Sequence, residues 1–340
     1  MKPIPLNILT VYADLLQSLE LGGNDSASIA TKTVKGKRFV YATTKDGSAR
    51  IERYLGPADD EEVKQNVELL KQGAERAKSR RSTVTLLKNA KLPAPIIVLG
   101  RILEVISNAG LFERGMTLIG TAAYQTYAGI VGHFLPAATY STQDADISLV
   151  EFVPGEDEED FESILKRADP TFQPVWNSND PLPKVFRASN GFSVDLLTGY
   201  GRGRRSPVPV ESIGVSAVPL NFQEYVSAET IQAVALYNSG VLVKVPTPAK
   251  FAVHKLIVAQ QRSSTQVAKK QKDLRQAREL IDILLATDEQ ALQDTLDDAR
   301  AHGKSWKSAI ASSLKEIGRD NRQGRLPLPL PTKGSRTAMN

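Results

Sequence analysis

The chain contains no cysteine. That absence excludes a disulfide framework, a thiolate nucleophile, an iron–sulfur cluster and a Cys-ligated zinc. Only His133, His254 and His302 supply imidazole, too few for a histidine-rich metal site, and no Gly-x-Ser-x-Gly elbow marks a hydrolase. A phosphate-binding G-x-x-x-x-G-K-[ST] loop is also missing. The glycine-rich stretch 199–205 (Gly-Tyr-Gly-Arg-Gly-Arg-Arg) fails the G-x-G-x-x-G spacing, and Pro207 and Pro209 deny it a following helix. The longest uncharged run, 115–143, is interrupted throughout by Gly, Thr, Gln, Tyr, His and Pro, so it does not read as a membrane span. Residues 1–21 carry Asp14 within their apolar pattern and lack a cleavage site, which argues against a signal peptide. The expected compartment is the cytoplasm.

What remains is an ordinary globular composition of 340 residues, 41% hydrophobic and 24% charged, enough for about two domains. Lys and Arg exceed Asp and Glu by 43 to 38, a mild basic balance that permits an anionic partner without requiring one. Ile8, Leu9, Tyr12, Leu15, Leu16 and Leu19 recur at helical spacing over 6–21. Two strands, 38–44 and 48–54, flank the turn signal Lys45-Asp46-Gly47 and carry Lys35, Lys37, Arg38, Arg50 and Arg53 with Phe39, Tyr41 and Tyr54 interleaved. Acidic residues 59–62 open a helix expected to run to about Ser79. A further helix is expected over 96–109, strands and helices alternate over 118–198, and four helices follow from Thr247: 250–261, 267–286, 288–302 and 305–319. The expected division is 1–90, a helix and basic hairpin module; 91–246, a catalytic core; 247–325, a helical domain; and 326–340, a proline-spaced disordered tail.

The chemistry concentrates in 142–150, Thr-Gln-Asp-Ala-Asp-Ile-Ser-Leu-Val. As a strand it sends Ala145, Ile147 and Leu149 to one face and Asp144, Asp146 and Ser148 to the other. Adjacent carboxylates repel unless a cation lies between them, and hard oxygen donors suit Mg²⁺; the bland reading is a polar strand end. A second strand, 191–198, sets Phe192, Val194 and Leu196 opposite Asp195. Asp195 reads either as a third ligand or as a surface residue on an edge strand. Upstream, Leu118-Ile119-Gly120-Thr121 is a strand running into a helix, where backbone amides and a hydroxyl can meet an anion. Lys255 and Arg262 stand at i and i+7 on one helix face; if that helix continues past 263–265, Lys269 and Asp273 follow on the same face. The alternative is a solvated basic stripe.

The ordered set Gly120-Thr121, Asp144-x-Asp146, Asp195 resembles the nucleotidyltransferase superfamily of polymerase-β-type fold. The segment 247–262 with Lys255 and Arg262, followed by Lys272-Asp273, resembles AbiE-type toxin nucleotidyltransferases of bacterial toxin–antitoxin and phage-defence systems. Arg53-Tyr-Leu-Gly-Pro57 resembles the N-terminal module of such proteins. The interval from Gly120 to Asp144 is longer than in the compact members. The resemblance implies an α+β fold with a small mixed sheet flanked by helices. It implies two Mg²⁺ ions, with Mn²⁺ as a substitute, held by Asp144, Asp146 and Asp195, the last also taking up a hydroxyl proton. It implies an NTP seated by Gly120, Thr121, Lys255, Arg262 and Asp273. The acceptor would be a tRNA 3′ end or a protein hydroxyl, with Arg50, Arg53, Arg202 and Arg204 as candidate acceptor contacts and a cognate antitoxin as a partner. A non-catalytic nucleic-acid-binding module and an enzyme acting on small molecules stay open as alternatives.

Overall fold

The computed structural model describes residues 1–22, 27–46, 49–139, 142–155, 159–177, 180–200 and 206–318. The candidate contacts Arg202 and Arg204 and the tail at 326–340 lie outside the described residues, as does part of the acidic run 156–160. The fold is α+β, and the chain divides into two compact units, Lys2–Pro246 and the part from Thr247 onward.

In the first unit α1 (Leu6–Gly22) buries Tyr12, Leu15 and Leu19, and the amide of Val234 donates to the Tyr12 hydroxyl at 3.2 Å. An antiparallel sheet follows, β1 (Ala27–Val34), β2 (Lys37–Asp46) and β3 (Ala49–Pro57) in that order. The hairpin β2–β3 is the one expected; β1 is an addition. The β1–β2 turn is the two-residue pair Lys35-Gly36, both at positive φ (49° and 77°), the geometry that matches the twist of paired strands. Helix α2 (Glu61–Asn89) is capped by Asp60, whose carboxylate accepts from the amides of Glu62 and Val63. It runs ten residues beyond the expected end, because no Gly or Pro interrupts 80–89; the hydroxyls of Ser82, Thr83 and Thr85 are satisfied by carbonyls one turn earlier. α3 (Ile97–Asn108) buries Leu99, Ile102, Leu103 and Ile106.

The central sheet begins with β4 (Thr117–Ile119), followed by the one-turn helices α4 (Gly120–Tyr124) and α5 (Tyr127–Val131), then β5 (Asp144–Ser148). Next come α6 (Phe161–Ala168), β6 (Gln173–Pro174), β7 (Val185–Arg187), β8 (Ser193–Thr198), β9 (Val208–Val210), β10 (Val215–Pro219) and α7 (Gln223–Ser227). The strand order is β4-β5-β8-β10-β9, with β7 pairing the first half of β8 and β10 its end. β5 and β8 run parallel while β4 and β5 run antiparallel, so the sheet is mixed. A separate hairpin of β11 (Thr230–Ala235) and β12 (Val241–Pro246) closes the unit.

The second unit is helical: α8 (Pro248–Gln261), α9 (Val267–Thr287), α10 (Glu289–Ala301) and α11 (Lys304–Glu316). Thr247 caps α8, its hydroxyl accepting from the Lys250 amide, and Pro248 occupies the first helical position, where its missing N–H costs nothing. α9, α10 and α11 all pack against α8. α8 does not continue through 263–265; a short 3₁₀ turn at Ser264–Gln266 separates it from α9. Among the described residues no helix is long and apolar enough to cross a membrane.

Candidate active site

β5 and β8 set the site. Their cores are apolar on one side: Ala145, Ile147, Val194 and Leu196 are fully buried. The alternation of a strand therefore turns Asp144, Asp146 and Asp195 to the other side, where all three are half-buried. The parallel register pairs Asp144 with Ser193 and Asp146 with Asp195. The strand spacing then holds the backbones of Asp146 and Asp195 about 4.8 Å apart, abreast on one face. β8 is not an edge strand; β5 lies on one side of it and β7 and β10 on the other, and Asp195 is also register partner of Val185. Asp195 thus belongs to the middle of the sheet.

Two hydroxyls hold the carboxylates in place. Thr142 Oγ1 donates to the carboxylate of Asp144, and Ser193 Oγ donates to Asp195 Oδ2 at 3.2 Å. Further along the same face of β5, Ser148 is buried and bonded to Ser227 Oγ of α7 at 2.8 Å, which closes the polar face at that end. Motif reading missed these hydroxyls; their signal was the two-residue spacing Thr142-x-Asp144 and Ser193-x-Asp195. It also missed Glu224, an exposed carboxylate of α7 lying over Gly199, where an added Cβ would stand 2.2 Å from Glu224 Cγ.

Gly120 opens α4 directly after Ile119, the last residue of β4 and the register partner of Asp146. It has φ +66°, and a Cβ there would stand 2.2 Å from Asp146 Oδ2. Both facts require glycine: the left-handed backbone and the close approach to a carboxylate. Thr121 is buried, 6% exposed, and α4 is a single turn whose dipole is short. An anion at this turn would therefore meet backbone amides more than a helix dipole.

Among the described residues no group of three or more His, Asp or Glu side chains is gathered closely enough to hold a metal ion by itself. Asp144, Asp146 and Asp195 bring carboxylate oxygens to the β5–β8 face, the hard donor type that suits a divalent cation.

The cations of the second unit are arranged differently from the sequence expectation. Asp273 is reached not by a continuous helix but by α9 folding back on α8. Lys255 Nζ lies 2.7 Å from Asp273 Oδ1, and Arg262 Nε 2.9 Å from Asp273 Oδ2. The Asp273 side chain is 1% exposed, that of Lys255 7%, and that of Arg262 27%. Burial pushes the Asp273 carboxyl up, but Lys255 and Arg262 more than offset this and hold it below its ordinary 3.8. His254, beside them, is pushed down to about 3, by burial first and by the Lys255 charge next, so it is neutral at physiological pH. Lys255 lies on α8 while Arg262 follows its end in extended backbone, so the two cations meet in an ion triad on Asp273 and not along one helix face. Lys269 is exposed, and Lys270 pairs with Glu316 at 2.8 Å.

A family model described as nucleotidyltransferase matches residues 98–301, and the chain belongs to that family. The matched span takes in β4, β5, β8, α8 and α9 and leaves out the β1–β3 sheet. Comparison with curated proteins and with solved structures finds no match. Membership makes the chain a transferase of nucleotidyl groups with an NTP as substrate.

Two expected outcomes follow from this geometry. Gly120→Ala forces a Cβ against Asp146 and a strained φ, costing about 1–2 kcal/mol of stability; thermal unfolding reads that cost, and an unchanged melting temperature would contradict the close approach. Asp273→Asn leaves Lys255 buried without a counter-ion and costs about 3–5 kcal/mol. Because the Asp273 carboxyl is lowered in the fold, its contribution is complete above pH 3.8 and is lost as pH falls through the lower folded value. Urea midpoints of wild type and Asp273→Asn should differ at pH 7 and converge only below pH 3.8; equal midpoints at pH 7 would show the triad to be energetically idle.

Proposed function

We propose that the chain is a metal-dependent nucleotidyltransferase that moves an NMP from an NTP to an acceptor hydroxyl on RNA, a tRNA 3′ end being the favoured site. In this reading it works as an AbiE-type toxin, with a cognate antitoxin as partner. The observation that supports it most is the register pairing of Asp146 with Asp195 on one face, with Asp144 two positions along and the bare Gly120 against Asp146.

Asp144, Asp146 and Asp195 would hold two Mg²⁺ ions, with Mn²⁺ able to replace them. When bound, such ions neutralise the phosphates and lower the pKa of the acceptor hydroxyl. The rest is assigned to the protein's own groups. Amides at Gly120 and Thr121 seat the terminal phosphates, which Gly120 allows by presenting no side chain. Asp195, oriented by Ser193, takes up the acceptor's proton as its oxygen bonds to the α-phosphorus and the bond from that phosphorus to pyrophosphate breaks. Arg262 is the proposed phosphate cation. Asp273 fixes its Nε, and its exposed edge stays open to an anion, while Lys255 balances the remaining charge of Asp273.

The test is incubation with Mg²⁺, total RNA and each NTP labelled at the α- or the γ-phosphate. The α-label should appear in RNA and the γ-label in pyrophosphate. Asp146→Asn should abolish both with the fold intact, since removing one of several repelling carboxylates does not destabilise. Label in protein with none in RNA would move the acceptor to a protein hydroxyl, label in neither with pyrophosphate still released would move it to a small molecule, and no pyrophosphate at all would leave a binding module.

A further inference from the structure

The β1–β3 sheet lies outside the family match and takes no part in the chemistry above. Its two faces differ. Val40 and Ala42 of β2 are buried, 6% and 5% exposed, on the side where α2 and α3 pack. The other side presents Phe39, Tyr41 and Tyr54. Register places Tyr41 beside Tyr54 on the neighbouring strand, and the ring centroids lie 5.4 Å apart for that pair and 6.0 Å for Phe39 and Tyr54. Tyr54 is 52% exposed, while Phe39 and Tyr41 are half-buried. Lys32 of β1 sits with Nζ 4.5 Å from the Tyr41 ring centroid and 2.7 Å from Glu52 Oε1. Three rings and a cation on a solvent-facing sheet are more than cross-strand packing requires.

The charge around them is one-sided. Residues 27–57 contain seven Lys and Arg against two Asp and Glu, which equals the net +5 of the whole chain, so the remainder is neutral. Lys37 and Arg50 are exposed and alternate to the ring face, Lys35 sits exposed in the β1–β2 turn, and Arg38 and Arg53 alternate to the opposite face. Base faces stack on aromatic rings, and phosphates are met by surrounding cations.

We infer that this face, built on Lys32, Phe39, Tyr41 and Tyr54, is a stacking platform for single-stranded RNA. The inference deepens the transfer reading by giving the acceptor strand a binding surface, and it rests on that reading only for the identity of the strand as acceptor. Duplexes do not suit the platform, because their bases are already stacked. RNA is favoured over DNA because the Glu52 carboxylate beside the rings can accept a hydrogen bond from a 2′-hydroxyl, a donor that DNA lacks.

The experiment uses the full chain carrying Asp146→Asn, without NTP, and a fluorescein-labelled single-stranded RNA of about 12 nucleotides followed by anisotropy across a salt series. The parent should bind and weaken as salt rises. Tyr41→Thr with Tyr54→Thr should weaken binding by about tenfold or more with an unchanged salt slope, and Tyr41→Phe with Tyr54→Phe should restore it. Lys37→Glu with Arg50→Glu, both on the ring face, should instead flatten the salt slope. Circular dichroism checks that each variant keeps its fold; should the Thr pair unfold, Lys32→Ala replaces it, with the same direction expected. Unchanged RNA affinity in a folded Thr pair would overturn the platform, as would equal or tighter binding of the matching DNA strand or of duplex RNA. The assay needs no turnover, so its failure leaves nucleotidyl transfer standing, and failed transfer leaves the platform standing.

Discussion

Two carboxylates side by side on neighbouring strands repel each other, and the sheet has to hold them there against that repulsion. β5 and β8 do so through their other faces. The buried side chains of Ala145, Ile147, Val194 and Leu196 lock the register, and a slip by one residue would turn all of them to the polar side. β8 is flanked on both edges, so the strand that carries Asp195 cannot easily move away from the one that carries Asp146. Thr142 and Ser193 then fix where the carboxylates point. Gly120 completes the arrangement by bringing a backbone turn to Asp146 that no side chain would permit. Burial of the apolar face thus fixes the positions of the three carboxylates on the polar one.

The helical unit deals with charge in the opposite way. Lys255 and Asp273 are almost wholly buried and neutralise each other at contact distance, with Arg262 as the third member reaching solvent. Internal pairing of this kind adds little net stability but makes loss of any one partner expensive. Neutral His254 beside the triad adds no competing charge at physiological pH.

Period-2 alternation made Asp144, Asp146 and Asp195 readable as residues of one polar face each, because their strands are short, apolar on the other face and bounded by turn residues. That the two faces are the same one, with Asp146 opposite Asp195, is a matter of strand pairing across about fifty residues, and no local pattern carries it. The helices from Thr247 onward were legible to within three residues at each end, because almost no proline interrupts that stretch. Asp273 was expected on the Lys255 face through a helix continuing past 263–265, whereas it comes from α9 folding back and pairs with Lys255. β1 escaped because Ala-Ser-Ile-Ala-Thr-Lys-Thr-Val is exposed for most of its length and shows little alternation. The end of α2 was placed early because Ser, Thr and charged residues there look like a loop until their hydroxyls are seen bonding back along the helix.

The central claim is that Asp146 and Asp195 act as one unit across the β5–β8 pair. A double-mutant cycle on nucleotidyl transfer tests it most directly, using Asp146→Asn, Asp195→Asn and both together in proteins shown to be folded. If the two carboxylates serve one shared step, each single variant loses nearly all activity and the double variant is no worse than either. Losses that multiply, or an Asp195→Asn protein that keeps wild-type kcat/KM, would contradict the account.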